Sequence, residues 1–177
     1  LLPEHIQIRS NELYIAGSRI QLKNQQHIYI IGAGKASAAM AQVTEQILGK
    51  IIGEGFIVTK YHHALPLRYI SYMEAAHPVP DENSLLASER IKAILQKAAT
   101  NDIIICLLSG GASSLLESIP DSISIHDLKQ LSRELLNSGA SIDEINNIRK
   151  HISTIKGGQL LIHAPKSRWI SLIISDV

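Results

Sequence analysis

Two short segments combine glycines with residues that can handle an anion: Gly32-Ala33-Gly34-Lys35-Ala36-Ser37 and Ser109-Gly110-Gly111-Ala112-Ser113-Ser114. Each follows an apolar run and reads as a turn from a strand into a helix, where free N–H groups and the helix dipole favour negative charge close to the backbone. Lys35 adds a point cation to the first turn, and three hydroxyls add neutral donors to the second. Both sequences also suit ordinary strand-to-helix connections. A third group follows: no acid stands between Glu144 and Asp176, whereas Arg149, Lys150, Lys156, Lys166 and Arg168 do, with Lys156 beside Gly157-Gly158. In a chain of net charge +1 this segregation predicts a local positive potential, part of it a solvated face. Asp176 closes an apolar run, where a carboxylate can hold Mg²⁺ in a phosphate site or cap a helix. The inventory predicts a cleft for a phosphorylated ligand with a hard cation, and phosphoryl transfer needs mainly positioning and charge neutralisation.

Two known templates do not fit the first turn. Tyr29 takes the place of the first P-loop glycine and Ala36 that of its Ser/Thr, so this is not a Walker motif. Ser37 replaces the third glycine of the dinucleotide fingerprint, and the second strand ends in Lys60 where a ribose-binding acid would stand. His62, His63, His77 and His151 lack the spacing of a transition-metal site.

The elements that must position these residues are legible from periodicity. The runs 28–31, 56–59, 69–73, 103–108 and 169–174 are too short and too β-branched for helices and predict strands. Helices are predicted over Lys35 to Leu48, over Asn83 to Ala99, from Ser124 with Leu128, Leu131 and Leu135 on one face, and from the capping box Ser141 to Glu144. Alternation of this kind predicts an α/β fold, a Rossmann-like open, mostly parallel sheet with helices on both faces. Ligands would then bind beyond the carboxyl ends of the strands. Residues 1–27 read as a hairpin-like segment, Glu12 to Ile15 pairing with Arg19 to Leu22, ahead of an α/β domain over 28–177.

Composition narrows the function. With 177 residues, 17 basic and 16 acidic side chains and only 4% aromatics, the chain has neither the basic field nor the stacking platforms of a nucleic-acid binder. No apolar run is long enough to span a bilayer, and the single Cys106, inside an apolar run, reads as a buried small hydrophobe of a reducing compartment, so a cytoplasmic protein is expected. Beginning without Met and stopping just after a strand-like run, the chain is expected to be part of a longer polypeptide.

Six ordered blocks carry a resemblance to a family: IGAGKASAAMA (31–41), GFIVTKYHH (55–63), EAAHPVPDENS (74–84), LLSGGASSLLE (107–117), SGASIDEINNIRKHISTIKGGQL (138–160) and LIISDV (172–177). Together they resemble the first domain of the glycerate 2-kinases whose second domain is called MOFRL, some of which carry the name hydroxypyruvate reductase. The resemblance implies transfer of the γ-phosphoryl group of ATP, with Mg²⁺, to the 2-hydroxyl of D-glycerate in a cleft between two domains. It implies a catalytic role for Lys35, cofactor contacts from Gly32, Gly34, Ser109, Gly110, Gly111, Ser113, Lys156, Gly157 and Gly158, and metal binding by Asp176. His77 and Asp176 are the candidates for a general base. The chain departs from the family at Ala112, where a third loop glycine is usual, at His62, where Gly is usual, and in stopping before the Gly-Asp that follows the last block. The C-terminal domain is therefore expected as the missing partner, this chain alone is expected to be inactive, and the oligomeric state, a homodimer included, stays open. Two other readings remain at this level: an NAD(P)-dependent hydroxypyruvate reductase and a noncatalytic module for phosphorylated ligands.

Overall fold

Leu13, Ile15 and Ile20 alternate with polar neighbours, the pattern of strands with one buried face. The computed structural model describes residues 2–175 and places them in a three-stranded antiparallel sheet, β1 (Ile6–Arg9), β2 (Glu12–Ile15) and β3 (Ser18–Gln21), behind a one-turn helix α1 (Leu2–His5). The loop between β2 and β3 is only Ala16-Gly17, with φ of +47° and +75°, the left-handed pair of a tight hairpin turn. This brings β3 in one residue earlier than the sequence suggested, pairing Ile15 with Ser18 and Leu13 with Ile20.

The apolar runs form a second sheet. Its strands are β4 (Ile28–Ala33), β5 (Ile52–Lys60), β6 (Ser71–Ala75), β7 (Ile103–Ser109) and β8 (Arg168–Ile174), in the order β6-β5-β4-β7-β8 with every neighbouring pair parallel. β4 is buried along its whole length, because a central parallel strand is covered on both faces. One face packs Ile28, Ile30, Ile57, Ile103 and Ile105 against α2 (Ser37–Leu48) together with Ile6, Leu13 and Ile15 of the small sheet. The other packs Tyr29, Ile31, Val58 and Cys106 against Ala87, Ile91 and Ile94 of α3 (Glu82–Leu95). The first residues of the chain thus share a core with the large sheet. Burial pushes the Cys106 thiol up to about 12, so it is an inert hydrophobe in this position.

The third run pairs two residues later than expected, from Ser71 instead of Tyr69. The buried carboxylate of Glu45 on α2 accepts hydrogen bonds from the backbone N–H groups of Arg68, Tyr69 and Ile70, which removes these donors from the sheet. Beyond β7 come α4 (Ala112–Leu115), α5 (Ile125–Asn137) and α6 (Ile142–Ile152), then a 3₁₀ turn over Gln159–His163. Reciprocal capping boxes open α3, α5 and α6, at Asp81/Ser84, Ser124/Asp127 and Ser141/Glu144, each worth about 1 kcal/mol. No helix among the described residues is long and apolar enough to cross a membrane.

Candidate functional site at the sheet's switch point

The strand order makes β4 and β7 neighbours at the centre, with β5 and β6 on one side and β8 on the other. The chain leaves β4 towards β5 and leaves β7 towards β8, so the two connections diverge and a crevice opens between them at the carboxyl ends. Both glycine turns start at this point. They touch directly: the Lys35 N–H donates to the Gly110 carbonyl at 2.9 Å, and the Ala36 N–H to Ser109 Oγ at 3.0 Å. Gly34, at φ +136°, packs so tightly on Ser109 that a Cβ there would lie 2.1 Å from its Oγ.

These contacts revise the role expected of the first turn. The N–H groups of Gly34, Lys35, Ala36 and Ser37 are all engaged within the protein, by Val58, Gly110, Ser109 and Gly34 respectively. α2 accordingly starts at Ser37 and not at Lys35. The turn is a lock between strands, and what it offers a ligand is the exposed side chain of Lys35. The second turn differs. Its carbonyls at Gly110 and Gly111 accept hydrogen bonds, while the N–H groups of Gly111, Ala112 and Ser113 have no partner among the described residues. Gly111 takes φ +84°, and a Cβ on it would meet the His77 ring at 2.8 Å and Lys35 Cγ at 3.3 Å. Lys35, His77 and the Gly110–Ser113 loop therefore converge. Burial first, and then the nearby charges of Lys35, Lys60 and Arg149, hold the His77 imidazole below its ordinary range, so it is neutral near pH 7.

The basic stretch does not act as one field. Lys166 and Arg168 lie at the opposite end of the sheet, lining a hollow of about 300 Å³ with Arg19 and Lys23, because Arg168 begins β8 beside Ile103. Lys156 remains at the carboxyl end, but its ammonium is held by the buried carboxylate of Glu117 and by the Leu116 carbonyl, 3.3 Å away. Burial lowers the Lys156 pKa and Glu117 opposes that shift. Gly157 and Gly158, at φ +64° and +90°, turn the chain after this pair with open space where a Cβ would stand. With Lys156, Gly32 and Ser113 they line a mostly apolar cavity of about 850 Å³. Lys35, Ser109 and His77 do not line it. Asp176 lies outside the described residues, and among those described no cluster of three or more His, Cys, Asp or Glu is arranged to hold a metal ion.

The whole chain, residues 1–177, matches the family model described as "Domain of unknown function (DUF4147)". The chain belongs to the DUF4147 family. Among its relatives, the glycerate 2-kinase of Pyrococcus horikoshii is 42% identical over 172 residues, covering 97% of this chain and 38% of the relative. An Agrobacterium vitis protein with a hydroxypyruvate reductase name is 45% identical over 148 residues, covering 84% and 34%. The crystal structure of glycerate kinase from Thermotoga maritima superposes with a TM-score of 0.79 at 39% identity, covering 87% of this chain and 37% of that one. A crystal structure of a Pyrococcus horikoshii protein gives a TM-score of 0.89 at 40% identity, covering 99% and 39%. The DUF4147 domain thus spans about a third of the length of the relatives it matches.

Sequence reasoning singled out Lys156 as a ligand cation and did not see that this DUF4147 domain provides Glu117 for it. A buried acid 39 positions away gives no local signal. Removing one partner of such a pair leaves a buried charge unbalanced, so Glu117→Gln is expected to destabilise the domain by about 3–5 kcal/mol. Glu117→Gln with Lys156→Met should restore most of this, and urea denaturation of the two variants and the parent measures both effects. Equal loss in the single and double variants would mean that the pair is not coupled.

Proposed function

We propose that this domain is the part of an ATP-dependent D-glycerate 2-kinase that holds the nucleotide phosphates and the reacting hydroxyl, transferring the γ-phosphoryl group of ATP to the 2-hydroxyl of glycerate. The observation that carries this reading is the convergence of the Lys35 side chain with the unpartnered amides of Gly111 to Ser113 at the switch point. An anion seated on those amides has a mobile cation beside it, the pairing that neutralises charge building on a transferred phosphoryl group. The glycerate kinase names of the relatives support the same reaction. Neutral His77, against the loop, is suited to accept the proton of the attacking hydroxyl. Mg²⁺ on a triphosphate needs only one or two protein carboxylates, and Asp176, at the end of the β8 run, is the residue we assign to it. The ion would supply charge neutralisation at the β- and γ-phosphates.

The reductase reading is disfavoured by a specific contact. A dinucleotide pyrophosphate sits on the amides of the first glycine turn, and here Gly110 and Ser109 already occupy those of Lys35 and Ala36. Thermal denaturation with Mg·ATP or with NADH separates the two readings. Mg·ATP is expected to raise the melting temperature of the chain and NADH to leave it unchanged. Stabilisation by NADH alone would overturn the kinase assignment. ADP release with D-glycerate is expected from the full-length protein and to be negligible from these 177 residues alone.

A further inference from the structure

The hollow of about 300 Å³ at the amino end of the large sheet holds four cations in its lining, Arg19, Lys23, Lys166 and Arg168, and no acid. They come from three parts of the chain: β3, the segment between β3 and β4, and the turn into β8. With 17 basic and 16 acidic side chains in the whole sequence, this grouping is a local excess of positive charge. Among the described residues Arg19 has an acid partner, the exposed pair with Glu12, and Lys23, Lys166 and Arg168 have none. Asp102 stands behind the hollow without lining it, and its buried carboxylate is spent on the backbone N–H groups of His27 and Ala99, at 2.9 and 2.7 Å.

The walls are tied to one another. The Asn101 N–H donates to the Lys166 carbonyl at 3.2 Å, the Arg168 N–H to the Asp102 carbonyl at 2.7 Å, the Gln26 side-chain amide to the Asn101 carbonyl, and the Lys23 N–H to Gln26 Oε1 at 3.0 Å. These bonds fix the segments that carry the cations, so the groups left to a ligand are the charged side chains themselves. Repulsion among them is relieved by an anion.

We infer that this hollow binds a small phosphorylated anion carrying about two negative charges, held by Lys166 and Arg168 on the β8 side and by Arg19 and Lys23 on the β3 side. Its volume is at the low end of the range of about 300–1,000 Å³ for ligand pockets. Ile20 is the one apolar residue of its lining, which leaves no surface for a nucleobase or a lipid tail. A single carboxylate would leave most of the cations unneutralised, whereas phosphate oxygens can accept from an arginine fork and from ammonium groups together. The inference does not depend on the kinase reading, because the hollow and the switch point lie at opposite ends of β7 and β8.

The test is calorimetric titration of the full-length protein, at constant ionic strength, with inorganic phosphate and with 2-phosphoglycerate, in a Lys35→Ala background that weakens the switch point. Binding with a Kd below about 1 mM is expected. Tighter binding of 2-phosphoglycerate would mark the ligand as an organic phosphomonoester, and equal binding would mark it as free phosphate. Arg168→Ala and Lys166→Ala are each expected to weaken the binding about tenfold, the effect of losing one charge-assisted contact, and to leave the melting temperature without ligand unchanged, since both side chains are exposed. Arg133→Ala removes an exposed cation of α5 outside the hollow and should change the affinity by less than about twofold. No binding of either phosphate, binding that Arg168→Ala leaves unchanged, or an equal loss at Arg133→Ala would each overturn the inference, the last by showing a diffuse field in place of a site.

Discussion

Lys35→Ala in the full-length enzyme is expected to lower kcat by about two to three orders of magnitude, the loss found when one preorganised donor to a developing oxyanion is removed. The side chain is exposed, its stem touches the space above Gly111, and its backbone N–H is fixed to Gly110. The substitution therefore deletes the ammonium and leaves the turn that carries it in place. The melting temperature should not change. The loss should fall on kcat more than on KM for ATP, because charge on the phosphoryl oxygens would be redistributed in the proposed transfer while the loop amides would still bind the ground state. Lys35→Arg is expected to recover only part of the rate, since a planar fork cannot occupy the position of a compact cation. Initial rates of coupled ADP release read all of these. A variant retaining more than a tenth of the parent kcat would show that Lys35 only contributes to surface potential.

Gly34→Ala should be the most destabilising single-methyl change in the domain. A Cβ at this position would stand 2.1 Å from Ser109 Oγ, 2.7 Å from the Ser109 carbonyl oxygen and 2.8 Å from its nitrogen, in a backbone at φ +136° that side chains rarely adopt. The hydroxyl could rotate away, but the backbone of a central strand end cannot, because β7 is hydrogen-bonded to β4 and β8 on its two sides. Backbone strain and overpacking together are expected to cost about 3–5 kcal/mol. Gly139→Ala provides the comparison: φ is +75° there but nothing lies within 4 Å of the new methyl, so only the left-handed strain of about 1 kcal/mol remains. The difference in urea midpoints between the two variants isolates the packing contribution. Removing the hydroxyl as well, with Ser109→Gly, should not rescue Gly34→Ala, since the two backbone contacts persist. A small loss at Gly34, equal to that at Gly139, would mean that the two turns are not locked.

Much of this was legible in the residues themselves. Runs of Ile, Val and Leu too short for helices marked β4, β5 and β7, because a strand buried on both faces needs no alternation; a similar run marked β8, an edge strand on which only Leu172 is buried, and the capping sequences at Ser124 and Ser141 marked α5 and α6. The start of β6 was missed because its competitor, the Glu45 carboxylate, lies 23 to 25 positions away in sequence. In the sequence Arg149 is one of five cations in a stretch without acids. Only burial distinguishes it from Lys150, one position on and exposed. Charge runs are counted along the chain, whereas potential depends on distance in space, and β8 carries Arg168 to the far end of the sheet.

Residue types and periodicity alone determined the α/β class, the central strands and the two glycine turns, because these follow from local sterics and from which side chains avoid water. Tertiary structure decided which turn keeps its amides free. Both had the composition of an anion site, but a backbone amide can serve a ligand only if no neighbouring carbonyl or hydroxyl has taken it. Strand order brought Gly110 and Ser109 onto the first turn and left the second one open.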